Sequence, residues 1–418
     1  MTTATATPTI GATTAAYIAR EEAVGAHNYH PLDLVIDHAR GVWVTDVEGN
    51  RYLDCLAAYS AVNQGHCHPR LVQALVQQAS RVTLTSRAFR NTELPAFCET
   101  LAELCGMDMV LPMNTGAEAV ETAIKAARRW GYRRKGIPAG QADIIVFANN
   151  FHGRTTTIVG FSSEASYRAD FGPFTPGFTE VPFGDIEAVR AAITAHTCAV
   201  LFEPIQCEAG VIIPPDGFLR ALADECRERN VLLVADEIQT GLGRTGKRFA
   251  CDHEDVTPDL YVLGKALSGG MYPVSAVVGS REVLGLFTPG SHGSTFGGNP
   301  LGCAVAREAM QVMIDERLAE RAEVLGDWLL NELRTLAHPA IVEVRGRGLM
   351  LAIELREKAR PYCEALEREG VLCKETHDTV IRFAPPLVVT QEELAWGVAR
   401  LRRVLGGTRS GLRSAPSS

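Results

Sequence analysis

The chain has 418 residues, 46% of them hydrophobic and 22% charged, with a formal net charge of -8. That length exceeds one simple core and points to two domains. The acidic balance leaves no basic face for DNA or RNA, and no apolar run nears the roughly 18 residues of a membrane-spanning helix. The opening stretch, MTTATATPTIGATT, lacks the basic and apolar regions of a secretory signal, so residues 1–16 read as a disordered tail, as do 406–418 at the other end. Eleven cysteines lie scattered with no C-x-x-C pair, which argues against a disulfide framework or zinc ribbon and for a reduced, cytoplasmic protein.

Residues 29–62 carry hairpin signals, chiefly VWVTDVEGNRYLD (42–54) with Glu48-Gly49-Asn50 at the turn. The segment 17–69 is therefore expected to pack with a smaller domain. The apolar runs IIVFA (144–148), CAVLFEPI (198–205), VLLVADE (231–237) and DLYVLG (259–264) read as buried strands. DIEAVRAAITAH (185–196) and FLRALADECRERN (218–230), between them, read as helices. Strand–helix–strand alternation predicts an α/β fold whose mostly parallel sheet is covered on both faces. Ligands gather at the carboxyl ends of such strands. A helical pattern from 297 to about 336 gives way to IVEVRGRGLMLAIEL (341–355), a helix over 361–369 and VIRFAPPL (380–387). The expected division is a large domain over 70–313 and a small α+β domain over 314–405.

Several motifs point to chemistry the chain does not support. GLGRTG (241–246) matches G-x-G-x-x-G, and Lys247 nearly completes a P-loop, but Arg248 stands where magnesium needs Ser or Thr. His66 and His68 at i and i+2 share no helix face, and Pro69 follows. CDHED (251–255) reads as an acidic turn, so no metal is expected.

The informative residues are Asp236 and Lys265, each at the end of an apolar run. A carboxylate ending a buried strand is costly without a cationic partner, and the glycines of Ala-Leu-Ser-Gly-Gly after Lys265 permit close backbone approach. Apart, each is ordinary; together they meet the demands of pyridoxal phosphate, a lysine to bond it and an acid to keep its ring nitrogen protonated. MNTGAEAVETAIKAAR (113–128) adds a polar turn opening a helix, where N–H groups near Thr115, Gly116 and Ala117 favour an anion. The same turn also reads as plain capping by Asn114 or Thr115.

These segments resemble the class III (subgroup II) aminotransferases of fold type I. The marks are LPMNTGAEAVETAIKAAR, NFHGRT (150–155), FEPIQCEAGV (202–211), VADEIQTGLGRTG (234–246), LGKALSGGMYPVSAVVG (263–279), HGSTFGGNPLGC (292–303) and IRFAPPL (381–387). The likeness runs from about residue 27 to about 403. HNYHPL (27–32), AAYSAVNQGHCHP (57–69) and VTLTSRAFRN (82–91) are similar to the ornithine-using branch. The resemblance implies that Lys265 bonds the cofactor and shuttles a proton, that Asp236 pairs with the ring nitrogen, and that Gln239 meets the ring hydroxyl. It implies Phe151 on the ring face, phosphate contacts from Thr115, Gly116 and Ala117, and Ser294 and Thr295 reaching the phosphate from a neighbouring copy. A homodimer with shared sites follows, with larger oligomers left open.

The substrates implied are L-ornithine and 2-oxoglutarate, with Tyr29, Tyr59 and Arg154 at the donor's far end, the guanidinium offering paired hydrogen bonds to a carboxylate. Arg382 would bind the second carboxylate of the oxo acid once Glu208 moves aside; the plainer reading is a permanent Glu208–Arg382 ion pair. The pattern departs at Cys207, where the family has Gly; a bulkier residue there is expected to stiffen the loop or restrict Glu208. His152 stands where many animal relatives have Trp. Sister donors (N-acetylornithine, 4-aminobutyrate, lysine) and, more remotely, an aminomutase or decarboxylase remain as alternatives.

Overall fold

The computed structural model describes residues 11–406. Near the N-terminus β1 (Ile36–Arg40), β2 (Trp43–Asp46) and β3 (Arg51–Asp54) run antiparallel in sequence order. The β2–β3 turn is organised by Asp46, whose carboxylate accepts the N–H groups of Glu48 and Asn50, the Asn50 amide and the Tyr52 hydroxyl at 2.7–3.0 Å. Such local side-chain bonding is what makes Asp a turn residue.

The middle of the chain supplies β4 (Met109–Met113), β5 (Asp143–Phe147), β6 (Phe178–Val181), β7 (Thr197–Phe202), β8 (Leu232–Asp236), β9 (Leu260–Leu263) and β10 (Ser275–Gly279). They form one sheet in the order β4-β10-β9-β8-β7-β5-β6, parallel except that β10 runs against both neighbours. Successive side chains go to opposite faces. Ile144, Val146, Leu232 and Val234 pack toward the helix Gly116–Trp130, while Ile145, Phe147, Leu233 and Ala235 pack toward the helix Phe218–Glu228. With both faces covered, these strands have to be apolar throughout.

The C-terminal part contributes β11 (Ile341–Arg347), β12 (Met350–Leu355), β13 (Val371–Leu372), β14 (Lys374–Thr376) and β15 (Val380–Phe383). The second sheet has the order β11-β12-β15-β14, all antiparallel, whereas β13 joins the N-terminal sheet by pairing in parallel with β3, Val371 opposite Leu53. One short stretch, 371–376, thus belongs to two sheets and ties the two ends of the chain together.

Two sequence expectations need correcting. Residues Ala12–Glu22 are helical, so the tail assigned through residue 16 ends earlier; the Ala-rich run favours a helix, and Glu48 accepts the Thr14 N–H at 3.0 Å. Residues 1–10 and 407–418 of the two tails lie outside the described residues. The long helical pattern after residue 297 is two helices, Pro300–Asp315 and Leu318–Arg334, broken at Arg317, whose φ of 52° is left-handed. Among the described residues no helix is long and apolar enough to cross a membrane, and no His, Cys, Asp and Glu cluster is arranged to hold a metal. His66 and His68 are taken up by Asp54 and Glu316.

Candidate active site

Three adjacent parallel strands of the large sheet deliver the central side chains. Phe202 pairs with Ala235 and Asp236 with Val262, so Glu203, Asp236 and the residues after Leu263 gather at the carboxyl ends of β7, β8 and β9. They border a cavity of about 190 Å³ whose lining includes Gly116, Ala117, Phe151, Asp236, Gln239 and Lys265. Lys265 has a φ of 42°. Left-handed backbone disfavours any residue with a Cβ, and strain of this kind collects at functional sites.

Asp236 is buried and spoken for on both oxygens: His152 Nδ1 lies 2.7 Å from Oδ2 and the Ile238 N–H donates to Oδ1 at 3.1 Å. The buried Glu203 accepts the Phe151 N–H at 3.0 Å. Burial and the neighbouring Asp236 charge push its carboxyl well above the usual range, favouring the neutral acid. Burial also depresses the Lys265 ammonium, against the opposing pull of Glu208 and Asp236, raising the fraction of free amine.

At the other end of the cavity the helix Gly116–Trp130 begins. Its N-terminus is closed by a capping box: Thr115 Oγ1 accepts the Glu118 N–H at 3.3 Å and the Glu118 carboxylate accepts the Thr115 N–H at 2.8 Å. Thr115 is thereby used for capping and is absent from the cavity lining, whereas Gly116 and Ala117 border it. A Cβ at Gly116 would sit 3.0 Å from Ile238 Cδ1, so a larger residue there would press on that side chain. Ser294 lies beside the same turn in its own chain, accepting from Asn114 Nδ2 at 2.9 Å, and Thr295 is exposed; neither lines the cavity.

Toward solvent the site becomes a pattern of charges. Arg382, buried on β15, meets Glu208 at 3.0 Å, and Gln239 bridges the two, donating to Glu208 at 3.1 Å and accepting from Arg382 at 3.4 Å. Although burial pushes the Glu208 carboxyl upward, the charge and hydrogen bonds of Arg382 outweigh it and hold the group below its ordinary value. The Arg382 guanidinium stands 4.9 Å from the Tyr59 ring centre. Tyr59 itself belongs to four consecutive left-handed residues, Ala57–Ser60. Arg154 is exposed and stacked on Tyr167 at 3.7 Å, while Tyr29 is 77% exposed.

Sequence reasoning missed three residues here. Glu203 carries the same signal as Asp236, a carboxylate at the end of an apolar run. His152 had no signal beyond its motif, and Tyr167 sits in a stretch with no periodicity. Pyridoxal phosphate asks for an amine, a buried carboxylate, an aromatic face and a helix N-terminus for its phosphate. Lys265, Asp236, Phe151 and the Gly116–Ala117 turn fit those four demands in one cavity.

Comparison with known proteins gives the family. The chain is 60% identical over 386 residues to an ornithine aminotransferase of Geobacillus, covering 92% of this chain and 97% of that one. A solved ornithine aminotransferase from Toxoplasma gondii superposes with a TM-score of 0.93 at 45% identity over 94% of both chains. An acetylornithine aminotransferase from Elizabethkingia anophelis does so at 0.86 and 48%, over 94% of this chain and 98% of that one. Residues 24–405 match the family described as Aminotransferase class-III, to which this chain therefore belongs.

Proposed function

We propose that this protein is a pyridoxal-phosphate enzyme that transfers the δ-amino group of L-ornithine to 2-oxoglutarate. The products are glutamate and glutamate 5-semialdehyde, which cyclises to pyrroline-5-carboxylate. The observation that carries the reading is the Glu208–Arg382 pair at 3.0 Å. One pocket has to accept a cationic amine and later a dianion. Paired, Glu208 and Arg382 present no net positive charge to the amine; parted, they free a guanidinium for the second carboxylate.

Bound in the cavity, the cofactor would supply a carbonyl to take the amino group and a protonated ring to accept the electron pair of the breaking C–H bond. Lys265 Nζ would hold the cofactor, then carry the proton between the donor carbon and the cofactor as base and acid. Asp236, fixed by His152 and the Ile238 N–H, would face the ring nitrogen. Phe151 would cover the ring, Gly116 and Ala117 would hold the phosphate, and Gln239 would meet the ring hydroxyl. Thr115 would join the phosphate site of its own chain, and Ser294 and Thr295 would reach it from the second copy of a homodimer. Tyr29, Tyr59 and Arg154 would hold the donor's carboxylate end. In the same reading 70–313 and 314–405 are the large and small domains, 17–69 packs with the latter, and the enzyme works in the cytoplasm.

The test is to titrate the purified protein with L-ornithine and no oxo acid. Loss of the yellow colour of the bound cofactor, with a semialdehyde trapped by o-aminobenzaldehyde, is expected. Bleaching by N-acetylornithine but not ornithine would move the donor to the sister substrate, and Lys265→Ala should lose both colour and turnover.

A further inference from the structure

The turn that carries Glu208 follows β7 of the large sheet, yet its backbone is gripped from the other domain. Gln206 and Ile212 exchange two backbone hydrogen bonds of 2.9–3.0 Å and close the turn at its base. At its top, Arg345 of β11 donates to the Gly210 carbonyl from Nε and Nη2 at 3.0 and 2.8 Å, and to the Val211 carbonyl at 3.2 Å. Its remaining nitrogen is held by Glu343 and Glu354. Thr376 of β14 donates its hydroxyl to the carbonyl of Glu208 itself.

The inner side of the turn is apolar. Cys207 is fully buried, with Sγ 3.2 Å from Met350 Sδ on β12, in a cluster with Ile205, Val211, Ala352 and Val380. Val211 has a φ of 57°, a left-handed conformation that a β-branched residue keeps only when its surroundings impose it. All these contacts come from strands of the one sheet that also bears Arg382, which lies opposite Ala352 on β12 and Lys374 on β14. Glu208 and Arg382 are therefore mounted on a common rigid body, although 174 residues separate them.

We propose that Arg345 and Cys207 are positioning residues for this pair: they lock the Glu208 turn onto the sheet that holds Arg382. With the backbone fixed, Arg382 is uncovered by rotation of the Glu208 side chain alone, and the lock sets how readily the site admits a dicarboxylate. The inference rests on the reading of Glu208 and Arg382 as the gate between the two substrates. Without the lock the turn drifts, the carboxylate covers Arg382 poorly, and the two half-reactions move in opposite directions.

The experiment compares Arg345→Met, Arg345→Lys and Cys207→Ala with the unsubstituted holoenzyme. It measures single-turnover rates with ornithine and with 2-oxoglutarate, and calorimetric binding of glutarate, a dicarboxylate that cannot react. Arg345→Met should lower kcat/KM for ornithine about tenfold, the size of one lost charged hydrogen bond, while glutarate binds as tightly or more tightly. Arg345→Lys, which can still reach a carbonyl, should recover part of the loss. Cys207→Ala, a milder change less exposed to misfolding, should shift the same ratio by about threefold. Equal losses in both half-reactions, or glutarate binding that weakens in step with ornithine turnover, would mean a merely structural role and overturn the proposal. Failure of the ornithine reading is visible separately, as an unsubstituted enzyme that ornithine leaves unchanged; the glutarate comparison still decides the lock.

Discussion

Replacing Arg244 tests whether the junction it makes with residues 63, 349 and 385 depends on charge or on shape. Its side chain is fully buried, and among the described residues its hydrogen-bond partners are carbonyl and amide oxygens rather than carboxylates. Instead Nη1 donates to the carbonyls of Leu349 and Pro385 at 2.8 and 2.6 Å, and Nη2 to Asn63 Oδ1 at 2.6 Å. Burial pushes the guanidinium down to about 9, with Asp54 and Cys207 opposing. Three oxygens from three distant segments thus converge on one planar fork. Arg244→Met leaves all three without a donor; at about 1.5 kcal/mol for each bond to a charged group the loss is roughly 4–5 kcal/mol. Part of it returns because a cation need no longer be buried, leaving about 3 kcal/mol net. Arg244→Lys still buries a charge, yet a single amine cannot reach three directions at once. The lysine variant should therefore be no more stable than the methionine one. Thermal unfolding at fixed protein concentration, with and without cofactor, reads this as a drop on the order of 3–4 °C for both variants. A lysine variant melting with the unsubstituted protein would refute the reasoning and make charge the determinant.

Three further outcomes are expected. Arg382→Ala should damage the 2-oxoglutarate half-reaction at least tenfold more than the ornithine half-reaction in single-turnover kinetics, since only the oxo acid brings a second carboxylate. Glu203→Gln should fold and flatten the alkaline side of the stability profile. The Glu203 carboxyl is raised in the folded protein, so its contribution is complete below the unfolded carboxylate range and is lost as pH climbs toward the folded value; thermal melts from pH 5 to 9 that run parallel for both proteins would contradict this. His152→Phe should weaken retention of the cofactor about tenfold on dialysis, because Asp236 loses its 2.7 Å partner inside an apolar wall.

Much of the site was legible because chemistry and pattern coincided. Asp236 and Lys265 stand at the ends of apolar runs, and the parallel register of β8 and β9 places those ends side by side. The same logic applied to CAVLFE would have found Glu203, which differs only in lacking a nearby lysine or glycine signal. Arg244 lies inside GLGRTG, a stretch read as a poor nucleotide-binding motif and thereby left without a role. Its task is to satisfy carbonyls more than a hundred residues away. Arg345 and Thr376 were invisible for the same reason: their partners are backbone atoms of a distant turn, and backbone carbonyls leave no mark in residue type. The helix at Ala12–Glu22 escaped notice because Thr and Ala repeats read as low complexity, while its docking point, Glu48, lies across a tertiary contact.

The left-handed turn at Ala57–Ser60 has a consequence for the order in which the protein assembles. Each such residue costs roughly 1–2 kcal/mol relative to ordinary helical backbone, so the turn cannot form alone. What holds its flanks is mostly made last. The Cys55 N–H donates to Leu372, the Cys55 carbonyl accepts from Ala384, and the Asn63 carbonyl accepts from Leu387. Loop closure over more than three hundred residues is slow. During synthesis the segment around Tyr59 emerges early and waits, unpaired, until the last strands leave the ribosome. The large sheet can be complete by then, so the wall that shapes the substrate's side of the pocket is the final piece to set. Refolding from denaturant should accordingly restore the Asp236–Lys265 neighbourhood before it restores the contact between Tyr59 and Arg382.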